Sequence, residues 1–171
     1  MKLICHPRFF NPAVLSIECL ARRENVKLVL EYSLCGDLSR IVLPEPCAPR
    51  QADSLWRHTC FEAFVAPERG CEYYEYNFSP SGEWAVFAFS DYRKRRALLY
   101  QVREPEMTLR QTEKRLEVEM IVSLDHLPTA PLKLGLSVVI EDENGGFSYW
   151  ALKHPRDEPD FHHRDSFALA I

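Results

Sequence analysis

Apolar and polar residues alternate with a period of two along most of the chain. Leu15, Ile17 and Cys19 are interleaved with Ser16, Glu18 and Leu20, and Val26, Leu28, Leu30 and Tyr32 with Lys27, Val29 and Glu31. A period of two sends successive side chains to opposite faces of an extended backbone, so both windows predict strands with one face buried. The same pattern predicts strands at 38–43, 55–65, 72–79, 83–90, 97–103, 115–123, 132–141 and 147–152. Between them lie residues that reverse a chain: Cys35-Gly36-Asp37, Pro44-Glu45-Pro46, Glu68-Arg69-Gly70, Pro80-Ser81-Gly82 and Glu143-Asn144-Gly145-Gly146. Asn144-Gly145 or Gly145-Gly146 suits a primed hairpin turn, which needs positive φ at its centre. Helix signals reduce to one short turn over 123–127, which Ser123 would cap and Pro128 would end. About ten short strands with frequent turns predict an all-β sandwich or barrel.

The faces of three of these strands carry candidate chemistry. In 55–65, Phe61, Ala63 and Val65 share one face and His58, Cys60, Glu62 and Phe64 the other. Glu62 stands among apolar residues, where an unpaired charge is too costly, so it must be hydrogen-bonded or partly wet. In 72–79, Tyr74, Tyr76 and Phe78 form an apolar row, while Glu75 and Asn77 lie opposite and offer acceptor and amide groups to hydroxyls. In 83–90, Trp84, Val86 and Ala88 oppose Ala85, Phe87 and Phe89. Two roles are open to Trp84: an indole platform for a pyranose ring, or a sandwich-core tryptophan.

Composition narrows the function classes. The 171 residues carry a net charge of −4 and 46% hydrophobic residues, with a pI near 5.9, which is an ordinary globular balance. That charge gives no reason to approach nucleic acid or an anionic bilayer. The basic run Arg93-Lys94-Arg95-Arg96 is expected to be a solvated loop, because Asp91 and Glu104 flank it and no nucleic-acid motif accompanies it. No apolar stretch has membrane-spanning length, and the N-terminal MKLICHPRFF lacks a secretory pattern, so a cytoplasmic location is the expectation. Six cysteines without Cys-x-x-Cys spacing read as buried thiols and not as a zinc site. Trp150, His154, Asp160, His162 and His163 straddle Pro155 and Pro159 without compact ligand spacing, and read as a tied-down loop. No phosphate loop, nucleophile elbow or HExxH helix is present, so no catalytic residue is assigned. Glu62 and Glu75 would make an acid/base pair only if their carboxyls approached each other; they read chiefly as buried-network or ligand-orienting groups.

Three stretches, Leu55-Trp56-Arg57-His58-Thr59-Cys60-Phe61-Glu62-Ala63-Phe64, Tyr74 to Trp84, and Tyr149 to Pro155 followed by Pro159-Asp160-Phe161-His162, together resemble the DOMON-like domains. These are relatives of family 9 carbohydrate-binding modules, found as small stand-alone bacterial proteins. The resemblance covers most of the chain and implies a single domain over 1–171. It implies an antiparallel β-sandwich of immunoglobulin-like or jelly-roll type, whose relatives bind sugars or haem. The expected function is therefore a non-catalytic module for a carbohydrate or sugar-containing metabolite. Trp84 would stack, and Glu62, Glu75, Asn77 and Arg93 would make polar contacts. A haem module using His or Met ligands, with Met107, Met120 and His154 as the donors available, and a protein-interaction domain are the alternatives.

Overall fold

A computed structural model describes residues 1–127 and 129–171. Its strands are β1 (Ile4–Cys5), β2 (Val14–Glu24), β3 (Lys27–Gly36), β4 (Arg50–Gln51), β5 (Cys60–Pro67), β6 (Tyr73–Phe78), β7 (Glu83–Asp91), β8 (Lys94–Arg96), β9 (Glu106–Gln111), β10 (Arg115–Ser123), β11 (Leu132–Glu141), β12 (Phe147–Ala151) and β13 (Leu169–Ala170). Among the described residues, helix is confined to three 3-10 turns of three residues each. Two sheets form a sandwich. The larger runs β1-β12-β11-β5-β6-β7-β4, with β13 on β11 and β8 on β7; the smaller runs β2-β3-β10-β9. All pairings are antiparallel except the two-residue β4–β7 contact. The all-β, antiparallel sandwich expected from the two-residue period is what forms.

The core lies between the sheets. Ile17, Cys19, Leu28, Leu30, Tyr32, Leu34, Leu116, Val118 and Met120 of the small sheet meet Phe61, Ala63, Val65, Tyr74, Tyr76, Phe78, Trp84 and Val86 of the large one. The Tyr32 hydroxyl crosses the interface to donate to the Glu62 carbonyl at 2.8 Å, so the buried phenol keeps a partner.

Several local expectations are corrected. Residues 38–43 form a 3-10 turn at Leu38–Arg40 with a single bridge at Ile41, because the Asp37 carboxylate accepts from the Ser39 N–H and starts the turn. Residues 55–57 likewise form a 3-10 turn, and the strand begins at Cys60. The 97–103 stretch is not a strand: Leu98, Tyr100 and Val102 pack on the core with a period of two but find no ladder partner. An edge strand, β9, forms instead from residues that are nearly all exposed and so carry no alternation. In β2 a bulge shifts the register between Val14 and Ser16, burying Val14 and expelling Leu15, which is 76% exposed. The β11–β12 hairpin has only Gly145 at positive φ, so a two-residue type I′ turn is excluded. Asp142 closes the longer loop by accepting from the N–H groups of Asn144 and Gly146. The turn after β10 forms, with Ser123 Oγ accepting from the Asp125 N–H; its expected end, Pro128, lies outside the described residues.

Gly36 ends β3 and is not a turn residue. A Cβ there would stand 2.1 Å from the Ala13 carbonyl oxygen, a backbone atom fixed by the start of β2. Gly36→Ala is expected to destabilise the protein by about 3 kcal/mol or more, read from urea unfolding. A loss under about 1 kcal/mol would mean that the β2–β3 end is pliable.

Candidate functional site

Register alone assembles the polar group. Glu62 of β5 is paired across the sheet with Asn77 of β6 on one side and Ser137 of β11 on the other. Glu75 pairs with Phe64 and Phe87, two residues further along β6. Both glutamates therefore project from the same face of neighbouring strands, on a diagonal, away from the small sheet. An antiparallel sheet often leaves such a face to water, but here it is covered. The two carboxylates are only 3% and 5% exposed.

The cover is the chain from Pro155 to Phe167, and it is pinned at several points. Gly135 gives the Phe167 ring its place: a Cβ would lie 2.8 Å from Phe167 Cδ1, and the ring stacks on Phe64 with centroids 5.7 Å apart. Asp160 accepts from the Tyr92 hydroxyl at 2.7 Å and the Arg93 guanidinium at 3.0 Å. Arg93 holds φ +55° in the Tyr92-Arg93 turn between β7 and β8, a left-handed conformation uncommon outside glycine, and its N–H donates to Tyr73 Oη at 3.0 Å. At the other end, His154 Nε2 donates to the Ile4 carbonyl at 2.8 Å and His6 Nε2 to that of Arg156 at 3.4 Å.

Between cover and sheet is a cavity of about 430 Å³, bounded by Glu62, Glu75, Trp56, Tyr149, Phe161 and His162, with Arg93 and Arg95 at its edge. Tyr73 Oη accepts from the Arg93 N–H and shares a hydrogen bond with His162 Nδ1, 2.8 Å away. His162 Nε2 faces Glu75 Oε2 at 3.7 Å, too far for a hydrogen bond. Burial, then Arg93, push the His162 pKa down to about 4, so the ring is neutral at pH 7 and this contact is no ion pair. Asn77 Nδ2 donates to Glu75 Oε1 at 2.8 Å, and Ser137 Oγ to Glu62 Oε2 at 3.1 Å. Burial, then the Glu75 charge, raise the Glu62 pKa to about 8 against the opposing Ser137 bond. Glu75 is raised as well, by burial, with its Asn77 bond pulling the other way.

Four of the five residues singled out in the sequence, Glu62, Glu75, Asn77 and Arg93, are brought together on this face. Trp84 is not. It is 6% exposed, on the opposite side of β7, inside the inter-sheet core. The tryptophan at the cavity is Trp56, which stands in the 3-10 turn at 55–57 and, six residues before Glu62, keeps the parity of the Glu62 face. Tyr149 was legible in principle, being half-buried between buried Ser148 and Trp150. Phe161 and His162 come from irregular chain, where no period marks a face. The basic run is solvated, with Arg93, Lys94 and Arg95 exposed, but 94–96 form strand β8 and not a loop, and its arginines have partners: Arg93 holds Asp160, Arg95 lies 3.8 Å from the centroid of the Phe87 ring, and Arg96 donates to Tyr74 Oη at 2.8 Å. All six cysteines are free thiols, with Cys47 and Cys71 exposed.

No family model and no curated protein matches the chain. In three dimensions it is similar to a solved structure from Bacteroides uniformis ATCC 8492 described as a "putative carbohydrate-binding protein". The two share 15% identity at a TM-score of 0.61, over 86% of this chain and 73% of that one. At that identity the likeness is one of fold.

The titrations have opposite signs. Folded Glu62 keeps its proton to about pH 8, whereas an unfolded glutamate loses it near 4.5. The folded state therefore binds more protons over that window, and its stability falls as pH rises. His162 and His126, both lowered to about 4 by burial, stabilise the fold above 6.5 and lose that contribution as pH falls from 6.5 to 4. Between pH 6.5 and 8 the carboxyls act alone among these groups. Glu62→Gln is expected to flatten most of the stability loss over that interval, leaving the variant a few kcal/mol more stable than the parent at pH 8. Urea unfolding at both pH values checks this, and a parent-like slope in the variant would contradict the assignment.

Proposed function

We propose that this chain is a non-catalytic carbohydrate-binding module of DOMON-like type, taking a sugar or sugar-containing metabolite in the cavity beneath the 155–167 cover. The observation that carries the reading is the pairing of aromatic walls with buried, outward-facing polar groups. Trp56, Tyr149 and Phe161 offer ring faces, and Glu62 and Glu75 offer carboxyl groups that orient hydroxyls, Glu75 being held by the Asn77 amide behind it. The fold likeness to a protein described as carbohydrate-binding supports the same reading. Arg93 serves by holding Asp160, and so the cover, in place.

A haem does not fit the donor set of this cavity. Met120 lies in the inter-sheet core, Met107 packs against the same core from the edge strand β9, and His154 donates to Ile4. Among the described residues the histidine lining the cavity is His162, whose Nδ1 is hydrogen-bonded to Tyr73 and whose Nε2 is turned to Glu75.

Two tryptophan variants test the placement. Trp56→Ala is expected to weaken sugar binding about tenfold or more while costing little stability, since the ring is only half-buried. Trp84→Ala is expected to cost about 3–5 kcal/mol of stability while leaving the affinity of the folded fraction unchanged. Calorimetric titration against the glycans that a binding array selects, with thermal unfolding of both variants, measures both arms. Loss of affinity in Trp84→Ala alone would move the site off this face.

A further inference from the structure

The floor of the cavity is short of donors. Among the described residues, Glu62 Oε2 receives Ser137 while its Oε1 takes no hydrogen bond. Asn77 Oδ1 is fully buried without a partner, directly across the ladder from Glu62. Glu75 Oε2 meets only the neutral His162 ring at 3.7 Å. Two carboxyl oxygens that face the cavity thus receive no donor from the protein beside an amide oxygen in the same state.

They also lack a cation. Among the described residues neither carboxylate has a lysine or arginine within 4.0 Å. The charged groups whose fields reach Glu75 are Arg93, Arg95 and Asp53, while Glu62 is faced by Glu75 itself. Arg93 is held by Asp160, and Arg95 is stacked on Phe87. The hydroxyls of a neutral sugar would satisfy acceptors but bring no countercharge to the pair. An ammonium group supplies three donors and a positive charge at once, and ring faces such as those of Trp56, Tyr149 and Phe161 attract cations.

We infer that the ligand carries a protonated amine, seated between Glu62 and Glu75, and that its class is the amino sugars. This specifies the sugar reading above and rests on it for all but the amine. When the ammonium enters at pH 6.5, Glu62 gives up its proton to solvent, both carboxylates become anionic around the cation, and about one proton is released for each ligand bound.

The test is a calorimetric panel of glucosamine, glucose, N-acetylglucosamine and methylammonium chloride, run on the whole chain in two buffers of different ionisation enthalpy. Glucosamine is expected to bind at least about tenfold more tightly than the two uncharged sugars, with proton release. That margin should vanish in Glu62→Gln and in Glu75→Gln, both near-isosteric changes whose folding is checked by near-UV circular dichroism. Equal affinity for glucose and glucosamine would overturn the amine and leave the sugar reading standing. Binding of methylammonium without any sugar would support the cation seat and overturn the sugar reading. Glucosamine binding without proton release, or unchanged in both variants, would place the amine elsewhere and overturn the inference, and silence from all four probes would overturn both.

Discussion

Burial of both faces of the central strands is the constraint on which the rest of the molecule depends. Every residue of β6, and every residue of β5 except Pro67, is shielded from water. One side of these strands packs on the small sheet; the other is sealed by the C-terminal chain. Had the second face been open, Glu62 and Glu75 would be ordinary solvated carboxylates. Because it is covered, each has lost its hydration and depends on whatever donors the fold places nearby.

The cover achieves this without regular structure of its own beyond one 3-10 turn. It is held by contacts of different kinds, each specific in geometry: a phenylalanine seated over Gly135, an aspartate gripping Tyr92 and Arg93, and two histidine-to-carbonyl bonds to or from the N-terminal segment. Tyr73 links the turn of Arg93 to His162 through a single hydroxyl hydrogen-bonded to both, so the bond that orients His162 also occupies its Nδ1.

The balance of donors and acceptors gives the cavity its chemical character. Ser137 and Asn77 each supply one hydrogen bond to a carboxylate, enough to orient it and too little to compensate for lost water. Burial then favours the protonated form of Glu62, while the nearby arginines stay engaged with Asp160 and the Phe87 ring.

Much of the sandwich is readable from one dimension, because the two-residue period is a local consequence of extended backbone and survives any tertiary arrangement. The inward rows of β3, β5, β6, β7 and β10, and the common parity of Glu75 and Asn77, follow from it directly. The period fails where the backbone changes state within a few residues, as at the 55–57 turn and at the bulge that expels Leu15. It is also silent on which of two buried faces meets the other sheet, so it leaves both roles open to Trp84. The sequence by itself determined strands and their two-sidedness. Only the tertiary structure decided that Glu62 and Glu75 are neighbours and that chain from 155 to 167 closes over them, since strand pairing and the path of an irregular segment depend on contacts between residues far apart in the chain.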